Sequence, residues 1–246
     1  MKTSERHHLK DNELALLLGH VQDFVEEHNR TLTAVLGTVL VVGAVVGGYL
    51  WWTNRVESSA QALLADAMVV AEAPLTPPAP PTGESLDQPA APQAGGFPTE
   101  RARNEAALPR LLAAADQYPS TSAGQTARYE AASTLVALGR FDEAVAQYDQ
   151  VASSASGVMA TMAQLGKAEA QLRAAKYDEA IAGFKAVADD AASTVPREAV
   201  LLELARAYRT AGRTDDARTT LNEIVEQHAE SPSAAAAKEE LDRLKG

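Results

Sequence analysis

The side chains that most often perform chemistry are few in this sequence and stand far apart. Four of the five histidines precede residue 30, and only His228 lies in the second half of the chain. Four acidic pairs resemble the carboxylate dyads of glycosidases or metal sites: Asp142-Glu143, Asp178-Glu179, Asp189-Asp190 and Asp215-Asp216. Three of them recur at one position of an internal repeat, so favourable charge at helix N-termini explains them better. We therefore expect no catalytic residue, no metal site and no cofactor.

Composition excludes several further classes of protein. The 246 residues carry 22 basic and 33 acidic side chains, a net charge of -11, and no cysteine. A chain without cysteine cannot form a disulfide, a thiolate zinc site or a lipid-modified cysteine anchor. No segment concentrates lysine and arginine, so nucleic acid is not an expected partner. The absence of a glycine-rich phosphate loop also argues against a nucleotide-binding enzyme.

Residues 32–52 form an uncharged apolar run that predicts a single transmembrane helix. At 1.5 Å per residue the run is about 31 Å long, which matches the hydrocarbon core of a bilayer. Tyr49, Trp51 and Trp52 lie together at one end, where amphipathic rings prefer the headgroup region. More basic residues precede the run than follow it closely, so we expect the amphipathic tail 1–31 in the cytoplasm.

Two features of this run leave alternatives open. Gly43 and Gly47 have the spacing of a helix-contact motif, which could support a homodimer, although a lipid-facing or incidental role also fits. The small residues Ser58, Ser59 and Ala60 could instead follow a cleaved signal peptide. The length of the apolar run and the thirty residues or so before it favour an uncleaved anchor.

The region after the span divides by composition. Residues 53–72 can continue as a juxtamembrane helix. Residues 73–98 are rich in proline and alanine, which predicts a flexible or semi-extended linker between a membrane module and a separate soluble domain. From about residue 99 onward the chain has helical periodicity and high alanine content.

An internal repeat organises the last part of the chain. The segments 139–151, 175–187 and 212–224 share the order small, basic, any residue, acidic, acidic, alanine, with spacings of 36 and 37 residues between Ala144, Ala180 and Ala217. These segments resemble tetratricopeptide repeats, whose period is about 34 residues. The second unit departs from the pattern, because Leu165-Gly166 lies two residues too early for Ala180. A plain alanine-rich helical bundle is the alternative.

The expected fold class is all-α: a single transmembrane helix followed by a tetratricopeptide-repeat-like α-solenoid over 99–246 with a C-terminal capping helix. Solenoids of this kind bind partners through the surface that their first helices line. The residues expected on that partner-binding surface are Tyr129, Ser133, Met162, Leu165, Arg206 and Arg209. Tyr148, Phe184 and Leu221 are expected in the core instead.

The order of these parts is similar to that of the ancillary SecYEG translocon subunit family. An acidic amphipathic helix, the sequence FVEEHNRTLTAVLG entering the span, and YLWW at its end carry the resemblance, mainly over residues 11–60. The proline-rich segment 73–98 departs from the family. The resemblance implies a bacterial inner-membrane protein whose repeats lie in the periplasm, beside Sec translocon subunits and periplasmic chaperones, where they handle exported chains.

Two other functions remain open from the sequence. The repeats could form a scaffold for envelope assembly or division, in which they join stable proteins. Alternatively, cleavage of the apolar run would release a soluble periplasmic adaptor. All three interpretations describe a non-catalytic protein-binding module, and they differ in partner and in attachment.

Overall fold

A computed structural model describes residues 29–76 and 96–244. The chain divides into two compact units, Met1–Arg55 and Val56–Gly246. The described residues form α-helices and no strand. In chain order the helices are α1 Asn29–Ala71, α2 Glu100–Gln117, α3 Ser122–Ala137, α4 Phe141–Ser154, α5 Gly157–Arg173, α6 Tyr177–Asp189, α7 Arg197–Thr210, α8 Thr214–Gln227 and α9 Pro232–Arg243.

The described part of the first unit is the N-terminal portion of α1. The valine, leucine and tryptophan side chains that the structure describes in it are exposed, as Leu40 and Trp51 show at 66% and 65%. Among the described residues, this helix is long and apolar enough to cross a membrane, which is compatible with membrane anchoring. Gly43 and Gly47 both face open space. The predicted amphipathic tail lies almost wholly outside the described residues.

The second unit begins with the C-terminal portion of α1, which packs into the helical array. Ala60 and Ala67 are buried at 1% and 0% exposure. The Glu57 carboxylate accepts hydrogen bonds from the backbone N–H groups of Ser122 and Ala123, at 3.1 and 3.0 Å. This contact satisfies two N–H groups that the first turn of α3 leaves without a helical partner. Residues 56–71 therefore belong to the same compact unit as the repeats.

The two ends of the proline-rich segment also meet within this unit. The Thr76 N–H donates to the Phe97 carbonyl oxygen and the Phe97 N–H to the Pro74 carbonyl oxygen, both at 3.0 Å. The sequence led us to expect a linker that separates residues 53–72 from the repeats. The structure differs because the segment starts and ends at neighbouring points of one unit. Residues 77–95 lie outside the described residues.

Helices α3 to α8 form three hairpins, each closed by the same kind of turn. Gly139, Ala175 and Gly212 lie between the paired helices in the left-handed region, with φ of 76°, 60° and 76°. The next residue in each turn donates its N–H to the carbonyl oxygen five positions earlier, at 2.8 to 2.9 Å. These bonds define Schellman caps, which usually need glycine at the left-handed position.

Small residues allow the two helices of each hairpin to cross closely. Ala144, Ala180 and Ala217 are all 0% exposed, and each has a buried alanine twelve residues earlier, namely Ala132, Ala168 and Ala205. The register of the second repeat is therefore set by Ala168, and Leu165-Gly166 lies elsewhere on the helix. In this register the second repeat follows the same pattern as the other two, contrary to the expectation from Leu165-Gly166.

The second helix of each hairpin contributes to the core the large residue that the repeat predicts. Tyr148, Phe184 and Leu221 are 5%, 2% and 2% exposed, as expected from the repeat. One buried cluster extends from α5 to α9 and another from α1 to α5. Helix α9 contributes Ala234 and Ala237 to the first cluster and covers its end. The sequence predicts a capping helix here, because an uncovered terminal repeat would expose apolar surface to water.

Candidate partner-binding groove

An open groove of about 390 Å³ lies along the first helices of the repeats. Helices α3, α5 and α7 supply most of its lining, and α6 and the connection before α7 supply the rest. Three residues predicted from the sequence lie in it: Tyr129, Met162 and Leu165. The complete lining is Tyr129, Met162, Leu165, Gly166, Glu169, Phe184, Val195, Ala199, Val200 and Glu203.

A tyrosine pair and a glycine shape the part of the groove next to α3. The rings of Tyr129 and Tyr148 meet edge to face with centroids 5.3 Å apart, a favoured aromatic geometry. A Cβ atom on Gly166 would lie 2.6 Å from two atoms of the Tyr148 ring. Only glycine therefore lets the Tyr148 ring lie directly against α5. Gly166, which departs from the repeat pattern in the sequence, therefore has the structural role of allowing this close approach.

Burial perturbs the ionisation of the groups around this tyrosine pair. Burial first, and then the Tyr129 and Glu130 charges, raise the pKa of Tyr148 to about 12, while a hydrogen bond with Ser133 opposes the rise. The pKa of Glu130 is also raised, because the carboxyl is half-buried and the Glu72 charge is near. Ser133 itself is exposed and lies outside the groove lining, although it contacts the buried tyrosine.

Two carboxylates in the groove lining are paired with arginines on their own helices. Glu169 accepts from Arg173 at 2.8 Å, and Glu203 accepts from Arg206 at 2.7 Å. Both pairs are partly exposed, so each contributes little to stability. Each of these carboxylates therefore already has a positive partner within the chain.

The structure places Arg206 and Arg209 beside the capping helix. Their Nε atoms lie 3.7 Å from the two carboxylate oxygens of Glu240, and Arg243 donates to the same carboxylate at 3.2 Å. The Glu240 side chain is only 8% exposed. These arginines therefore balance a buried charge on α9, and the structure brings them together with one another but not with Met162 and Leu165.

Sequence reasoning missed several residues of the groove, although the repeat spacing contains a signal for them. Glu169 lies 36 residues after Ser133 and 37 before Arg206, both of which were predicted. In the same way, Gly166 lies 36 residues after Glu130 and 37 residues before Glu203. Correct placement of Ala168 would have identified these equivalent positions. Val195 lies in a connection between repeats, where the spacing gives no guidance.

The recurring acidic pairs lie at the hairpin turns, away from the groove lining. Arg140 donates to Glu143 at 2.6 and 2.7 Å, which lowers the pKa of that carboxyl. Lys176 pairs with Asp142 at 2.7 Å and Arg213 with Asp178 at 3.8 Å, so the basic residue of one repeat reaches the acidic residue of the repeat before it. Among the described residues no group of three or more potential ligands could hold a metal ion.

Comparisons with known proteins agree with this architecture. Profiles of the tetratricopeptide repeat family match residues 129–196 and 171–241. Two crystal structures of the nearly identical TPR-like repeats of a Podosopora anserina protein, described as a kinesin light chain, are each 23% identical with a TM-score of 0.51. Each match covers 58% of this chain and 77% of the other. No curated protein matches the chain significantly.

Fold and comparisons together define the class of this protein. Tetratricopeptide repeats are present, and the described fold is an all-helical solenoid of that type, which confirms the predicted fold class. Such repeats indicate a protein-protein interaction module and typically form a non-catalytic scaffold. The likeness to the fungal structures extends to the fold alone.

Proposed function

We propose that this chain is a membrane-tethered, non-catalytic binding module of the bacterial envelope, which handles exported proteins together with Sec translocon subunits and periplasmic chaperones. The observation that carries the binding role is the open apolar groove between α3, α5 and α7. Met162 in its lining is 41% exposed, although it belongs to a side-chain type that is usually buried. An accessible apolar lining of this kind suits a peptide or helix from another protein.

The apolar part of α1 supports a single-pass anchor in the inner membrane. The distribution of lysine and arginine favours a cytoplasmic N-terminus and a periplasmic repeat domain. Cleavage near Ala60 is disfavoured because it would remove Glu57, whose carboxylate caps α3, and would cut the helix at a buried residue. A homodimer through Gly43 and Gly47 remains part of the proposal, supported by their spacing and their open surroundings.

The Sec context rests on the resemblance of residues 11–60 and on the order of the parts. In-cell photocrosslinking tests it, with a photoreactive side chain replacing Met162 in the groove. The matched control replaces Lys185, an exposed residue of α6 that is absent from the groove lining. We expect translocon subunits, periplasmic chaperones or exported chains to be captured from position 162 and not from position 185.

Three results would redirect the proposal. Capture of division or outer-membrane assembly proteins would support the scaffold function instead. Capture of cytoplasmic proteins alone would contradict the orientation and the Sec context together. Equal capture from positions 162 and 185 would show that the groove has no special role in binding.

A further inference from the structure

The charged side chains in the lining of the groove are two glutamates, and both are neutralised within the chain. Glu169 lies on α5 and Glu203 on α7. One turn further along the same helix, Arg173 donates to Glu169 at 2.8 Å and Arg206 donates to Glu203 at 2.7 Å. The lining that the structure describes therefore presents apolar surface and two ion pairs, with no unpaired charge.

An exposed apolar stripe continues the groove along α5. Met162 in the lining is 41% exposed, and Val158, four residues earlier and outside the lining, is 54% exposed. Leu165 follows three residues after Met162. Residues three and four apart lie on one face of a helix, so the three side chains form a stripe about 10 Å long. The apolar surface is therefore longer than the groove lining itself.

The position of this stripe distinguishes it from scattered surface residues. Within the described residues 96–244, Val158 and Met162 are the large hydrophobic side chains that are exposed. Both lie on one face of α5, and Phe184, which is 2% exposed, also contributes to the lining. Contiguous exposed apolar surface marks interaction sites in soluble domains. The stripe and the groove lining therefore form one continuous candidate contact surface.

A charged side chain of a ligand would lose water on entering this groove without gaining a free partner. Removing an ionised group from water is unfavourable unless an opposite charge compensates it. Arg173 already engages Glu169, and Arg206 already engages Glu203, so a ligand lysine or glutamate would compete with an existing pair. An uncharged apolar side chain avoids this cost and is stabilised by burial.

We infer that the groove binds an uncharged apolar segment of a partner protein, and that Arg173 and Arg206 maintain this selectivity by neutralising the carboxylates of the lining. The apolar side chains of the segment lie against Val158, Met162 and Leu165. This inference rests on the proposed function, in which the groove is the binding site. It specifies the class of segment bound and assigns a role in specificity to two arginines outside the lining.

Fluorescence anisotropy with the full chain in amphipol tests the inference, and protein-free amphipol serves as the blank. Three labelled peptides share one leucine- and alanine-rich block whose central residue is serine, lysine or glutamate. We expect the serine peptide to bind about tenfold more tightly than either charged peptide. Arg173→Gln leaves Glu169 unpaired, so the lysine peptide should then bind about threefold more tightly than the glutamate peptide. Arg218→Gln removes the same charge from an exposed pair with Asp215 on α8 and should leave the two charged peptides equal.

A matched pair of valine variants tests the apolar stripe. Val158→Ser should weaken binding of the serine peptide about fivefold, because the stripe loses one of its three apolar side chains. Val69→Ser makes the same change on α1, where the side chain is 72% exposed, and should leave binding unchanged. Both valines are exposed, so the fold should tolerate either substitution. Equal effects of the two variants would overturn the contact with the stripe.

Met162→Ser separates this inference from the proposed function, because it should weaken all three peptides. Equal binding of the three peptides, weakened by Met162→Ser, would overturn the preference for uncharged segments and retain the groove as the binding site. Binding that Met162→Ser leaves unchanged would overturn both proposals. If Arg173→Gln leaves the lysine and glutamate peptides equal, the ion pairs do not control selectivity, and the role assigned to the arginines is wrong.

Discussion

Replacing Ala175 by glycine should stabilise the protein, although the same substitution within a helix is destabilising. Ala175 occupies the left-handed position of the second hairpin turn with φ of 60°, where the other two turns have Gly139 and Gly212. An L-residue in this region costs about 1–2 kcal/mol, because its Cβ approaches the following carbonyl oxygen. Glycine removes that cost.

The gain is reduced by the greater freedom of glycine in the unfolded chain. That entropic effect is about 0.4–1 kcal/mol, so the net stabilisation from Ala175→Gly is about 0.8 kcal/mol. The reverse change, Gly139→Ala or Gly212→Ala, should destabilise by about the same amount. A Cβ atom at either glycine would meet no atom within 4 Å, so the backbone conformation alone is responsible.

Urea denaturation of the full chain in micelles, followed by circular dichroism, measures these differences. Ala182→Gly is the matched control, because Ala182 is exposed within α6 and has ordinary helical geometry. That control should destabilise by about 0.5–1 kcal/mol. If Ala175→Gly lowers stability as much as Ala182→Gly does, the left-handed turn is not the strained element inferred here. Stabilisation by Gly139→Ala would contradict the same reasoning from the opposite direction.

Three further predictions concern contacts described above. Gly166→Ala should destabilise the chain by about 1–3 kcal/mol in urea denaturation, because the new Cβ overlaps the Tyr148 ring; unchanged stability would contradict that close approach. Glu57→Ala should reduce stability by about 0.5–2 kcal/mol and speed hydrogen exchange at the first N–H groups of α3, whereas unchanged exchange would refute the cap. Tyr148 should ionise near pH 12 in an absorbance titration. Since an unfolded tyrosine ionises near pH 10, its contribution to stability should be complete below pH 10 and lost between about pH 10 and 12; a midpoint near 10 would refute its burial.

The local features of the repeats were predictable from the sequence, because spacing and residue size determine them. Ala144, Ala180 and Ala217 mark the close helix crossings, and the large residue four positions after each lies in the core. The register of α5 was harder to predict. Its sequence contains small residues at 163, 166, 168 and 170, and local pattern alone does not identify Ala168 as the equivalent of Ala132 and Ala205.

Contacts between distant segments could not be predicted from the sequence. Glu57 reaches the start of α3 across 65 residues, and Asp66 pairs with Arg110 across 44. Neither contact leaves a local pattern. The positions of Arg206 and Arg209 follow the repeat, but Glu240 on the capping helix engages both. A repeat pattern predicts which face a side chain occupies, whereas the charge that it meets depends on the neighbouring element.

Comparison of equivalent positions separates packing from recognition in this solenoid. The crossing positions hold alanine in all three repeats, because any larger side chain would push the helices apart. Nearby positions on the same helices differ in charge: one series reads Glu130, Gly166 and Glu203, and the next reads Ser133, Glu169 and Arg206. Each of these residues meets a different neighbour: Ser133 contacts Tyr148, Glu169 pairs with Arg173, and Arg206 pairs with Glu203. Of these positions Gly166, Glu169 and Glu203 line the groove. Substitutions of Glu169 and Glu203 should therefore alter partner preference, while the alanine positions maintain the fold.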